Sequence, residues 1–400
     1  MKKIYLLLLV LCAGVSAFAQ KTIQSKIKDM ATGEPVEMAT ITAEGTSIST
    51  VSNAEGSFRI TVPANVTQLN ISHLNYRPYT VSVAQALEEI NLEPSIFTLE
   101  EVVVTNQPVD GLLRGAVKAS KKKMEKSLLL NTYYREFVKI NGRYVRFADG
   151  LVDFYVKRKS GAADVYVNQS RTRKLVKVGD TKIMTRGGDS ITQADMNTIE
   201  SIGVYKLDDA IETSYNFGLV NKIVSNADLY DLTLKTRQDK NGGNLQIVSI
   251  KPKAGGKGLY MGTVTYDTAT NLILDTNIQI DPAFISNAPD IKIFGFYMRI
   301  TAVEKHTSFV LDKDKYIVSY NKGRVGVYIK FRDKIDDNLE FLNDMIVNNH
   351  KETEETPDKA KRYKGKNLYN AGNHYTTEFW KNSNALLLTA AEEAILKSME

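Results

Sequence analysis

Turn signals recur along almost the whole chain, each between runs of β-branched and aromatic residues, and a chain punctuated in this way folds into antiparallel strands joined by hairpins. The clearest is Asn141-Gly142, set between residues 134–140 and 144–147; both residue types tolerate the positive φ of a two-residue turn. Further signals fall at 239–243, 267–271, 312–315 and 321–323, with strand-like runs at 261–266, 272–280, 291–303 and 325–331. The expected fold class is therefore mainly β. With 400 residues, 43% hydrophobic and 24% charged, the chain has material for two to three domains. Its mean hydropathy of −0.25 is that of neither a disordered nor a polytopic membrane chain.

The first twenty residues have a basic start (Lys2, Lys3), an apolar run over 4–15 and the small-x-small close Ala17-Phe18-Ala19. This reads as a secretory signal peptide, 1–19, cleaved after Ala19; the apolar run is short for a membrane span. The single cysteine, Cys12, would leave with it, and Leu11 stands where a lipid-attachment motif needs a small residue. The exported chain then has no disulfide, thiolate zinc site or cysteine nucleophile, and packing must stabilise it. Localisation is expected to be periplasmic or outer-membrane-associated. The formal net charge of +6 falls when Lys2 and Lys3 go. The remaining basic excess is too dispersed for nucleic acid, which needs a basic face with aromatic platforms.

From 20 to 93 the chain breaks into seven β-prone runs, at 22–28, 36–43, 47–52, 58–62, 68–73, 79–83 and 89–92. Seven short strands with frequent turns predict a sandwich. The punctuation is Thr32-Gly33-Glu34-Pro35 and Asn53-Ala54-Glu55-Gly56, and alternation within Phe58-Arg59-Ile60-Thr61-Val62 turns one face to a core. Residues 29–43, then Thr50-Val51-Ser52-Asn53-Ala54-Glu55-Gly56-Ser57-Phe58, then Leu69-Asn70-Ile71-Ser72-His73-Leu74-Asn75-Tyr76 resemble the carboxypeptidase-regulatory-like domain. That family is an Ig-like or transthyretin-like sandwich at the front of many bacterial envelope proteins, and the resemblance implies a noncatalytic docking or spacing role. Asn75 stands where the family usually has glycine, and asparagine also tolerates the left-handed region. The following Leu99-Glu100-Glu101-Val102-Val103-Val104-Thr105 is similar to the stretch after the same module in TonB-dependent receptors. Fewer than 300 residues follow Thr105, too few for a plug and large barrel, so an extended strand or tether is expected.

Residues 94–109, bounded by Pro94 and Pro108, read as a linker, and 110–400 as an α+β domain: a curved antiparallel sheet with helices against one face. Asp110 is placed to cap a helix over 110–129 with Leu113, Val117, Met124 and Leu128 at helical spacing and lysines on other faces. A packing helix is the first reading of that segment, a basic helix lying on anionic lipid the second. Ile335, Leu339, Leu342 and Ile346 predict another helix, and Thr389 with Glu392 forms a capping box ahead of Ala394, Ile395 and Leu396. Residues 351–373, charged and poor in large apolar groups, read as a solvated polar loop. The run 131–137 with 141–144 looks like a pattern downstream of the same front domain in envelope proteins of similar build. The hairpin over 262–280 resembles the half-barrel sheets of periplasmic lipoprotein carriers, a likeness of fold alone.

No catalytic constellation emerges. His73, His306, His350 and His374 lack metal-ligand spacing, so neither metal nor cofactor is expected. The glycine-rich 253–258 lacks the ending of a phosphate loop and sits between strands. Of 20 tyrosines, 17 lie between Tyr133 and Tyr375; tyrosine favours strands, and its flat face and hydroxyl also suit a glycan, peptide or lipid cleft. The candidate ligand-binding residues are Tyr133, Tyr134, Arg135 and Glu136, with alternation placing Tyr133 and Arg135 on one face and Tyr134 and Glu136 on the other. The expected function is that of a noncatalytic envelope protein whose second domain binds an envelope protein, glycan or lipid component. Nucleic acid is excluded, and membrane association needs no transmembrane helix. Two alternatives are an exported hydrolase, with two carboxyls about 5 to 9.5 Å apart, and a small outer-membrane β-barrel.

Overall fold

The computed structural model describes residues 20–87, 89–95, 101–102, 107–124, 126–158, 160–174, 206–238, 244–293, 295–312, 314–331, 335–376 and 384–397; the expected signal peptide lies outside them. The chain divides into two compact units, one of 1–94 with 378–387 and one of 95–377 with 388–400.

In the front unit, strands β1 (Gln20–Asp29), β4 (Ser57–Pro63) and β7 (Ile90–Leu92) form one sheet in the order β4-β1-β7. Strands β2 (Thr40–Ala43), β3 (Ser49–Val51), β5 (Gln68–His73) and β6 (Tyr76–Ser82) form another in the order β3-β2-β5-β6. Period-two burial turns Ile23 and Ile27 of β1 and Phe58, Ile60 and Val62 of β4 against Ile41, Leu69 and Ile71 from the other sheet. The unit is a seven-stranded sandwich. Asp29 organises its first turn, accepting from the Ala31 and Thr32 amides at 2.7 and 2.9 Å and from the Tyr76 hydroxyl at 2.8 Å. Asn75 makes the β5–β6 turn outside the left-handed region, its amide donating to His73 Nδ1 at 3.1 Å. Asn384–Leu387 closes this unit: Asn384 Oδ1 accepts from the Thr61 amide at 2.6 Å, and the Asn53 side chain donates to the Leu387 carbonyl at 3.1 Å.

Among the described residues, the second unit is organised by one antiparallel sheet of twelve strands. In chain order they are β8 (Glu101–Val102), β9 (Leu128–Ile140), β10 (Arg143–Val156), β11 (Ala163–Lys174), β12 (Tyr230–Gln238), β13 (Asn244–Pro252), β14 (Tyr260–Asp267), β15 (Ile273–Ile280), β16 (Asp290–Ile293), β17 (Phe296–Asp312), β18 (Lys315–Phe331) and β19 (Ile335–Glu352). Among the described residues the path β11-β10-β9-β19-β18-β17-β15-β14-β13-β12-β8 is open, and β16 adds to β17 beside β15. Two hairpin meanders are thus joined where β19 returns to β9. Helices α1 (Val109–Lys123), α2 (Asp209–Asn216) and α3 (Gly218–Ser225) cover one face, burying Leu113, Ile211, Tyr215 and Ile223 against Val248, Val264, Ile273 and Val318. Helix α4 (Ala390–Lys397) sets Ile395 and Leu396 on the other face, over Phe137, Phe147 and Leu342.

Several local expectations change. Helix α1 ends at Lys123, with Leu128 already in β9, and Asp110 sits in its first turn paired to Arg114 at 3.1 Å rather than capping it. Residues 335–346 are strand, not helix: Ile335 and Leu339 pack on one face and Leu342 on the other, so burial on both faces produces a spacing that mimics a helical stripe. Residues 321–323 lie within β18 instead of turning. Asn321 donates to Ser214 and Thr307 at 3.1 and 2.9 Å, a buried polar set that reads as turn composition. Glu101–Val102, read as part of an extended strand or tether within the linker, is a strand and pairs with β12. The polar segment after β19 covers the sheet's edge strand β11: the Tyr363 amide donates to Val165 O at 2.7 Å, and Ser170 and His374 exchange backbone bonds at 2.9 and 2.8 Å. An uncovered edge would present its amides and carbonyls for pairing with another chain. Leu368 of this segment is fully buried, over Gly150, where an added Cβ would meet Gln169 O at 2.5 Å and the Leu368 side chain at 3.0 Å.

Candidate functional site

Strand β9 lies between β10 and β19 and carries all four residues singled out from the sequence. Alternation splits them as expected, and both faces are covered, leaving Tyr133, Tyr134, Arg135 and Glu136 no more than 7% exposed.

On the α4 face, register sets residues of alternating sign directly opposite one another across five strands: Arg171, Asp149, Arg135, Asp344 and Lys322 on β11, β10, β9, β19 and β18. Arg171 donates from Nε to Asp149 at 2.9 Å and also through Nη2, and the Tyr133 hydroxyl donates to the same carboxylate at 3.1 Å. Arg135 donates from Nε to Asp344 at 2.7 Å and from Nη1 to Glu392 at 3.0 Å, while the Tyr320 hydroxyl donates to Asp344 at 2.6 Å. Burial pushes the Asp344 carboxyl up, but the Arg135 guanidinium and the Tyr320 hydroxyl prevail and hold it below the usual range. Glu392 also forms the capping box of α4, its carboxylate accepting from the Thr389 amide at 2.8 Å and its own amide donating to Thr389 Oγ1 at 3.3 Å. One side chain therefore caps the helix and fastens it to the sheet.

On the opposite face Glu136 lies beneath Leu368 and Tyr369. Its Oε1 accepts from the Tyr369 amide at 2.8 Å, and its Oε2 is buried. Burial pushes its carboxyl up to about 7, opposed by the Tyr369 and Leu368 amides and the Arg146 guanidinium. Arg146 stacks over the Tyr369 ring at 4.7 Å.

Three strands along the same face, in register with Glu136 through Asn343 and Gly323, is a group the sequence reading missed. Lys305 on β17 lines a pocket between that strand, β15 and the α2–α3 pair. Its ammonium donates to the Asp209 carbonyl at 3.2 Å; desolvation pulls it down to about 7, against the opposing pull of the Asp209 carboxylate. A signal was present: Lys305 occupies an inward position of its strand, in phase with buried Thr307 and Phe309, where a lysine breaks the apolar alternation. The histidines are placed apart, His306 on Asp275 at 2.8 Å and His350 on Asp312 at 3.0 Å.

Residues 23–104 match the family model described as the CarboxypepD_reg-like domain. No curated protein matches the chain. Among solved structures, MucB in complex with MucA(peri) is 11% identical, covers 62% of this chain and 100% of its own, and gives a TM-score of 0.20. The MucA/MucB complex of Pseudomonas aeruginosa gives 12%, 62%, 99% and 0.19, and lipovitellin gives 9%, 66%, 29% and 0.23. At these TM-scores the likenesses carry no argument about this chain. The seven-stranded sandwich and the matched span agree, and the chain carries a CarboxypepD_reg-like domain at its N-terminal end.

Proposed function

We propose that this chain is an exported, noncatalytic protein of the cell envelope, periplasmic or attached to the outer membrane, in which the front sandwich docks or spaces and the twelve-stranded unit binds an envelope component. The observation that carries the noncatalytic reading is the internal pairing of the candidate residues: Tyr133 on Asp149, Arg135 on Asp344 and Glu392, and Glu136 on the Tyr369 amide. Groups held this way stiffen a platform and present no free acid, base or nucleophile to a substrate. The front domain's family and the basic-apolar-small pattern of residues 1–19 support export.

A small outer-membrane barrel is less favoured, because among the described residues β11 and β8 end an open path and helices pack on the sheet. Expression of the full chain in a diderm bacterium, followed by fractionation and N-terminal sequencing, tests the proposal. Mature protein starting at Gln20 and released by carbonate supports it. Cytosolic recovery with residues 1–19 intact refutes export, and carbonate-resistant insertion favours the barrel.

A further inference from the structure

Where the edge-covering segment leaves β11, a cleft of about 380 Å³ opens, within the roughly 300 to 1,000 Å³ common for small-molecule sites. Among the described residues its lining is Arg171, Thr172, Arg173 and Lys174 of β11 with Asn373 and Tyr375 of the segment, three cations and no acid. Alternation sends Arg171 and Arg173 to one face of the strand and Thr172 and Lys174 to the other, so the cleft wraps the edge of the sheet. Asp149, the carboxylate opposite Arg171, is fully buried and already takes that guanidinium and the Tyr133 hydroxyl. Arg173 and Lys174, both exposed, therefore leave the lining positively charged. The walls are held in place. Asp149 fixes Arg171 through Nε at 2.9 Å, and Asn373 Oδ1 accepts from the Thr172 amide at 2.8 Å, which leaves Asn373 Nδ2 to donate to a ligand. The Ser170 and Thr172 amides both point outward from this edge, so the Lys174 amide, two residues on, points outward as well. Tyr375 presents a ring that is 48% exposed.

A guanidinium fork, an ammonium and an outward backbone amide in one cleft supply more donors than a carboxylate takes, and they match the oxygens of a phosphate monoester. A half-exposed tyrosine beside an asparagine amide offers a flat apolar face with polar groups at its rim, which suits a sugar ring. We propose that this cleft binds a phosphorylated sugar, with the phosphoryl group on Arg173 and Lys174 beside Arg171 and the ring against Tyr375 and Asn373. This rests on the reading of the second unit as a binding unit and names a ligand class for it. A free sugar phosphate and a lipid headgroup share this chemistry, and the experiment separates the two sources.

The test is calorimetric titration of the full chain with glucosyl phosphate, glucuronate, glucose and inorganic phosphate. Glucosyl phosphate should bind at least tenfold more tightly than each of the other three. Arg173→Gln and Lys174→Gln, both at exposed positions, should each weaken it at least tenfold. Tyr375→Ala should bring it down to the affinity of inorganic phosphate and leave inorganic phosphate unchanged. Flotation with phosphatidylcholine vesicles carrying phosphatidylinositol decides the source: retention that Tyr375→Ala abolishes assigns a headgroup, and glucosyl phosphate binding without retention assigns a free sugar phosphate. Equal retention on phosphatidylserine vesicles, indifferent to Tyr375→Ala, reduces the cleft to a basic surface on an anionic membrane and overturns the proposal. Glucosyl phosphate binding that is indifferent to all three substitutions, no tighter than that of glucuronate or inorganic phosphate, or absent at millimolar ligand also overturns it. An unexported chain with Arg173-dependent binding would sink the envelope reading alone; an exported chain that ignores sugar phosphates in both assays would sink this one alone.

Discussion

Replacing Glu136 by glutamine isolates the energetic consequence of burying a carboxyl beneath the edge-covering segment. In the folded chain burial raises this group from 4.5 to about 7. The protonated form is therefore favoured by folding, and the associated stability is complete below about pH 4.5 and lost as pH rises through about 7. At about 1.4 kcal/mol per tenfold change in proton affinity, the wild-type chain loses about 3 kcal/mol from this group between pH 4.5 and pH 8. Glutamine is close in shape to the protonated acid, keeps an oxygen for the Tyr369 amide and carries no charge. Glu136→Gln should thus match wild type near pH 4.5 and exceed it by about 3 kcal/mol at pH 8. Urea unfolding of both proteins at half-unit pH steps, followed by tyrosine fluorescence and far-UV circular dichroism, gives the difference directly. A wild-type minus variant difference that stays flat from pH 4.5 to 8 would refute the burial reasoning.

Three further outcomes follow from the same packing. Arg135→Met strands Asp344 and should cost about 3 to 5 kcal/mol, most of it recovered in the double variant Arg135→Met with Asp344→Leu; equal losses in the single and double variants by denaturation would remove the pair from the account. Leu368→Ala, at a fully buried position, should cost about 2 to 5 kcal/mol and raise amide exchange along β11, and unchanged exchange there would mean that the segment does not protect the edge. Gly150→Ala drives a Cβ against Gln169 O at 2.5 Å, so the melting temperature should fall; an unchanged value would show that the strands yield freely.

How much of this was legible depends on sequence separation. Asn141-Gly142 turns with φ of 49° and 79°, as its composition dictates, because a two-residue hairpin is a local problem. The Thr389 and Glu392 cap was likewise readable three residues apart. The attachment of Glu392 to Arg135, 257 residues away, has no local signature. Arg135 and Glu136 were readable only as alternating onto opposite faces. That one would face a cross-strand row of charges and the other lie beneath Leu368 and accept from the Tyr369 amide depends on which strands flank β9. The reading of 335–346 as helix failed for the same reason, since a strand buried on both faces loses the alternation that identifies it.

By itself the sequence determined the mainly β character, the front sandwich and the hairpin turns at 141–142, 267–271 and 312–315, since turn chemistry and side-chain alternation act over a few residues. The tertiary structure alone decided that β19 closes against β9, which residues pair across the sheet, that the polar segment after β19 covers an edge, and that Lys305 lines a pocket. Those outcomes depend on burial and register between segments distant in the chain, where the desolvation of a charge and the partner that answers it are fixed together by packing.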